Sequence, residues 1–86
     1  MKEALKIFKA LGDETRLNII KSLINGEKCV CEIIPFTKRT QSTVSIQLSN
    51  LEKLGIVESK RNGKSVYYRI SNPKVKKILK LFKDNQ

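Results

Sequence analysis

Two groups of residues in this chain carry side chains whose type and spacing could do chemistry. The first is Cys29-Val30-Cys31, two thiols a single residue apart. A pair that close cannot staple distant parts of a fold, and in a reducing compartment such pairs ligate a metal or exchange electrons. A disulfide between the two is expected to be disfavoured, because so short a loop strains the geometry of the bond. The second group is the run Thr40-Gln41-Ser42-Thr43-Val44-Ser45-Ile46-Gln47, which holds hydroxyl and amide groups and no formal charge. Such groups both donate and accept hydrogen bonds, as reading base edges requires: a Gln amide pairs bidentately with adenine, and Ser or Thr hydroxyls bond to several edges.

What is missing narrows the chemistry further. The sequence contains no His, which removes both the commonest general base and the commonest transition-metal ligand. It has no glycine-rich phosphate loop and no Gly-x-Ser-x-Gly turn, and Asp13, Glu14, Glu27, Glu32, Glu52 and Glu58 fall where helix caps and surface pairs would put them. The chain is therefore not expected to be an enzyme. Eighteen Lys and Arg against eight Asp and Glu give a formal charge of +10 on 86 residues, a balance that favours a polyanionic partner and speeds its encounter. No apolar stretch approaches the roughly 20 residues of a membrane span, and Met1-Lys2-Glu3-Ala4 does not open a signal peptide. A cytoplasmic location without membrane attachment is expected.

The elements that must position these groups follow from periodicity. Residues 2 to 11 place Leu5, Phe8 and Leu11, with Ala4 and Ile7, on one side of a helical repeat that Gly12 ends. Asp13 caps a second helix with the stripe Leu17, Ile20, Leu23 and Ile24, and Asn25-Gly26 supplies its left-handed stop. Residues 30 to 36 read as a brief third helix, because Pro35 would clash with the carbonyl four residues earlier in a helix interior. Thr40 caps a fourth helix from Gln41 to Leu54, with Val44, Leu48, Leu51 and Leu54 at helical spacing and Gly55 beyond. The period then changes: Ile56 to Lys60 and Ser65 to Ile70 form a β-hairpin through Asn62-Gly63, read as a type I′ turn. Pro73 behind Asn72 opens a final helix carrying Val75, Ile78, Leu79 and Phe82. The fold expected is mainly α with a β-hairpin wing, a single winged helix-turn-helix domain over residues 1–86.

In that architecture the fourth helix buries one face and offers the other to a major groove. Val44, Leu48 and Leu51 face inward, while Gln41, Ser42, Thr43, Ser45 and Gln47 face outward, with Ile46 as the odd apolar member that reaches a thymine methyl or packs on the wing. Lys38 and Arg39 precede the helix, and Lys60, Arg61, Asn62, Lys64 and Arg69 surround the hairpin tip, as phosphate contacts should. A winged helix can also serve as an RNA-binding or protein-interaction module. A protein-binding version would display aromatic or aliphatic anchors where this chain shows mainly Gln, Ser and Thr.

Five segments together resemble the ArsR/SmtB family of metal- and stress-responsive repressors: residues 8–17, Cys29-Val30-Cys31-Glu32-Ile33, Gln41-Ser42-Thr43-Val44-Ser45, the Leu51 to Val57 stretch, and Arg61-Asn62-Gly63-Lys64 before Val66-Tyr67-Tyr68. The resemblance implies a homodimer built from the first and last helices, 1–12 and 73–84, through Leu5, Phe8, Val75, Ile78, Leu79 and Phe82. It further implies binding to double-stranded DNA at an inverted-repeat operator. Cys29 and Cys31 occupy the segment in which arsenic- and cadmium-sensing members carry their thiolates, which implies As(III), Sb(III) or Cd(II) as an inducer. Ile34 stands where arsenic sensors of this type carry a third cysteine, so the pair needs a further donor from Glu32, a solvent thiol or a partner subunit. The alternative is a repressor with no metal response, in which the cysteines open the third helix and at least one packs as a small hydrophobe.

Overall fold

A computed structural model describes residues 1–83 of the chain. Five helices surround one core, and a small sheet projects from it. Helix α1 (Lys2–Leu11) turns Ile7 and Ala10 inward and leaves Leu5 and Phe8 outside, so its apolar residues span more of its circumference than its own domain covers. Helix α2 (Glu14–Ser22) starts at Asp13, whose carboxylate accepts a hydrogen bond from the Arg16 N–H at 2.9 Å. Ile19, Ile20 and Leu23 are fully buried there, whereas Leu17 and Ile24 lie at the margin. The helix ends before reaching Asn25-Gly26, although Gly26 does take a φ of 140° in the loop beyond.

A two-residue strand, β1 (Lys28–Cys29), precedes α3 (Val30–Thr37). Pro35 lies inside α3; having no N–H, it leaves the Cys31 carbonyl without the usual helical donor, and the helix is brief as expected. Helix α4 (Gln41–Lys53) buries Val44, Leu48 and Leu51. It ends in a Schellman motif: Gly55 takes a φ of 76°, its N–H donates to the Glu52 carbonyl, and the Ile56 N–H donates to that of Leu51, both at 3.0 Å. These bonds satisfy two carbonyls that the helix end would otherwise leave bare.

The hairpin consists of β2 (Val57–Asn62) and β3 (Ser65–Ile70). Asn62 pairs with Ser65, so the two-residue turn is Gly63-Lys64, one position later than read from the sequence. Gly63 has a φ of 65° while Lys64 does not adopt a positive φ, the combination of a type II′ turn, which needs Gly only at its first central position. Strand β3 is also paired with β1, giving the antiparallel order β1-β3-β2. One row across this sheet runs from Cys29 through Tyr67 to Lys60.

Helix α5 (Pro73–Lys83) begins with the Asn72 side chain accepting from the Lys74 N–H at 3.0 Å; position 84 of the expected helix lies outside the described residues. Val75 and Leu79, expected from the resemblance on the dimer face, are instead buried in the chain's own core with Ile7, Ala10, Leu51 and Ile70. The reason is geometric: these two positions share the helix face that must seal the core of a short domain, where each fully buried aliphatic side chain contributes about 1.5–3 kcal/mol. Ile78 is half-buried and Phe82 is exposed. None of the described helices is long and apolar enough to cross a membrane.

Candidate nucleic-acid interface

Helix α3, the turn at residues 38–40 and helix α4 form a helix-turn-helix whose corner is fixed by short-range hydrogen bonds. The Thr37 hydroxyl donates to the Ile34 carbonyl at 2.9 Å and accepts from the Arg39 N–H at 3.2 Å. Thr40 caps α4 by accepting from the Thr43 N–H at 3.2 Å, and the two threonine hydroxyls lie 3.0 Å apart. Between them Lys38 adopts a left-handed φ of 59°, alone among the described non-glycine residues. A side chain in that region costs roughly 1 kcal/mol. Lys38→Gly is expected to stabilise the domain by about 0.5–1 kcal/mol and raise its melting temperature by a few degrees, which a thermal melt followed by circular dichroism would check. An unchanged or lowered melting temperature would show that the lysine's aliphatic stem offsets the backbone cost.

Around α4, Gln41, Ser42, Ser45, Ile46 and Ser49 are exposed, and Val44 and Leu48 lie opposite. The expected division into oily and polar faces is therefore present, with two refinements. Thr43 is half-buried and held by Thr40. Gln47 is also half-buried, and its Oε1 is buried with no hydrogen-bond partner, a situation that typically costs about 1–3 kcal/mol. The first turn of α4 holds no acidic residue, so its positive dipole end faces outward uncompensated.

The wing presents Lys60, Arg61, Asn62 and Lys64, all exposed. Arg69 differs: its guanidinium is paired with Glu58 on the neighbouring strand. At the base of the wing the Ser59 hydroxyl donates to Glu52 Oε2 at 2.8 Å, tying β2 to the last turn of α4. Partial burial, and secondarily the Glu52 charge, push the Tyr68 hydroxyl above its ordinary pKa. Lys38 and Arg39 are exposed at the corner.

Cys29 and Cys31 lie where α3 begins. Cys29 is its N-cap: the Sγ accepts from the Cys31 N–H at 3.2 Å, and the Glu32 carboxylate reaches back to the Cys29 N–H at 3.3 Å. The two sulfurs are paired as a disulfide, the bond that so short a loop was expected to disfavour. The chain bends sharply between an extended cap residue and the first helical turn, and the Cα atoms come to 5.1 Å, within the ordinary range for the bond. Cys29 is buried and Cys31 exposed. No three His, Cys, Asp or Glu side chains converge on one point among the described residues. The cap was legible in principle as Cys-x-x-Glu, a capping box with sulfur in place of a hydroxyl.

Away from the helix-turn-helix, Leu5, Phe8 and Phe82 are 56%, 60% and 67% exposed. Their helices are tied at one end by a Glu3–Lys74 ion pair, with Asn72 donating to the same carboxylate at 3.4 Å. The Lys74 ammonium holds the Glu3 carboxyl below its ordinary pKa.

Residues 13–59 match the model of a family described as bacterial regulatory protein, arsR family. A transcriptional regulator of the helix-turn-helix type from Methanocaldococcus jannaschii, itself uncharacterised, is 48% identical over 80 residues, which cover 92% of this chain and 90% of that one. The cadmium resistance transcriptional regulatory protein CadC of Listeria innocua is 43% identical over 75 residues, covering 86% of this chain and 63% of its own length. The chain thus spans less than two thirds of that protein. Among solved structures, the homodimeric winged helix-turn-helix DNA-binding domain of a possible ArsR-family regulator from Mycobacterium bovis superposes with a TM-score of 0.83 at 33% identity, covering 95% of this chain and 76% of that one.

Proposed function

The chain belongs to the bacterial arsR family of regulatory proteins, and from that premise we propose that it is a dimeric repressor whose α4 reads an inverted-repeat operator. Regulators of this family act by binding DNA and not by catalysis. The observation that carries the reading is the exposed, uncharged, hydrogen-bonding face of α4 at Gln41, Ser42 and Ser45, opposite the buried Val44 and Leu48. Thr40, Thr43 and Gln47 border that face, and Asn62 sits at the tip of the wing. Lys38, Arg39, Lys60, Arg61 and Lys64 supply phosphate contacts on either side. Two subunits joined through α1 and α5 would set their reading helices in successive major grooves, about 34 Å apart. The test is selection of bound fragments from a random duplex library, followed by titration over salt. Enrichment of a two-fold-symmetric sequence, with affinity falling by orders of magnitude between low and moderate salt, is expected. No enrichment and no retention at low ionic strength would refute it.

The inducer we propose is a soft, thiophilic ion: As(III), Sb(III) or Cd(II). Once reduced, Cys29 and Cys31 would hold it, with Glu32 close by, and the ion would supply a strong bond between two thiolates. Cys29 caps the first helix of the helix-turn-helix and belongs to the wing sheet, so its sulfur bears on both DNA-contacting elements. Cys29→Ser with Cys31→Ser is expected to keep operator affinity, because Ser is itself a good N-cap. It should also abolish metal-dependent release, measured by fluorescence anisotropy of a labelled operator under reducing conditions, and abolish the near-ultraviolet thiolate-to-metal absorption. A wild-type protein that stays bound in excess As(III) and Cd(II) would remove the metal from the mechanism and leave a repressor without metal response.

A further inference from the structure

We infer that Ile46 is a specificity-determining residue that recognises the C5-methyl group of a thymine in the operator. The inference rests on α4 being the reading helix and adds what its apolar member does there.

Ile46 is 60% exposed and takes no part in the hydrophobic core, so most of its surface is open to a partner, which favours the thymine-methyl role over packing on the wing. It stands two residues from both Val44 and Leu48, which are buried; two residues are about 200° of helical rotation. Its side chain therefore points away from the domain, at the centre of the outward face. Its neighbours on that face, one turn to either side, are Ser42 and Ser49, with Ser45 beside it. All are short, so the isoleucine stands above them. Its β-branch restricts it to essentially one χ1 rotamer in a helix, so little side-chain entropy is lost when it meets a surface.

Whatever meets it must be apolar, small and set among hydrogen-bonding groups. The major groove offers one such feature: the C5-methyl of thymine, which stands beside the O4 acceptor. A hydroxyl-bearing face with a single rigid apolar projection matches that surface in both its polar and its oily parts. Because the methyl group alone is recognised, the same contact distinguishes thymine from uracil, whose pairing and hydrogen-bonding edges are otherwise identical.

The experiment uses the full chain and the duplex enriched by selection, prepared with thymidine or with deoxyuridine at every thymine position. For the wild type, loss of one buried methyl per half-site is expected to weaken binding about fourfold per subunit and on the order of tenfold for the two-fold operator. Ile46→Ala, at an exposed position where Ala favours the helix, should bind both duplexes equally and about as weakly as the wild type binds the deoxyuridine form. Two results overturn the inference: equal wild-type affinity for both duplexes, or a thymidine preference that survives in Ile46→Ala and so reflects duplex shape instead. If the wild type enriches no duplex, the assignment of α4 as a reading helix falls and the inference falls with it. Strong enrichment with no methyl discrimination sinks the Ile46 contact alone.

Discussion

Replacing Gln41 and Ser45 together by alanine is expected to erase the preference for operator over unrelated duplex while salt-sensitive binding to any duplex persists. The two residues lie one helical turn apart on the exposed face of α4. Each base-edge hydrogen-bonding contact of this type discriminates by about 1–3 kcal/mol. Two contacts on each of two subunits place the loss of specificity near a thousandfold even at the low end of that range. The cations at Lys38, Arg39, Lys60, Arg61 and Lys64 are untouched, so the slope of log affinity against log salt should not move. Alanine is a better helix former than either residue it replaces, and folding should be unimpaired. Competition of labelled operator against scrambled duplex at several salt concentrations measures both quantities. A parallel fall of specific and nonspecific affinity would count against base reading by this helix.

Phe8→Asp combined with Phe82→Asp is expected to yield a folded monomer with operator affinity lowered about 10²–10⁴-fold. Both aromatic rings are exposed in the single chain, and the inward residues of the same helices, Ile7, Ala10, Val75 and Leu79, already hold α1 and α5 on the core. Charges at positions 8 and 82 therefore strike the association of subunits and leave the domain intact. Losing the dimer turns two linked half-site contacts into independent ones, which removes the gain in effective concentration. Sedimentation equilibrium gives the mass and anisotropy titration gives the affinity. A variant that remained dimeric would place the subunit contact elsewhere on the surface.

Much of this was legible from residues alone, for identifiable reasons. Helix α4 was readable because four independent signals agree over residues 40–55: a Thr cap, an apolar repeat at helical spacing, a terminal glycine and a polar opposite face. Strand β1 was not, since two residues carry no periodicity and pair only because β3 lies beside them. The turn slipped by one position because Asn62-Gly63 suits a type I′ loop locally, while the strand register spends Asn62 on a pair with Ser65. In α1 and α5 the pattern marked the residues as apolar but could not divide them between the chain's own core and its outside. That division depends on the azimuth at which each helix docks, and it sent Val75 inward while leaving Phe8 exposed. The proximity of the two sulfurs is not legible from a one-residue spacing, because it depends on the bend between the extended cap residue Cys29 and the first turn of α3.

The row that joins Cys29, Tyr67 and Lys60 makes the sheet a crossbar between the start of α3 and the wing. Adjacent strands lie about 4.8 Å apart, so residue 29 and the wing lysine are separated by roughly 10 Å and one intermediate residue. Should the sulfur-bearing strand move, the backbone of Lys60 is its near neighbour across two rungs of hydrogen-bonded ladder.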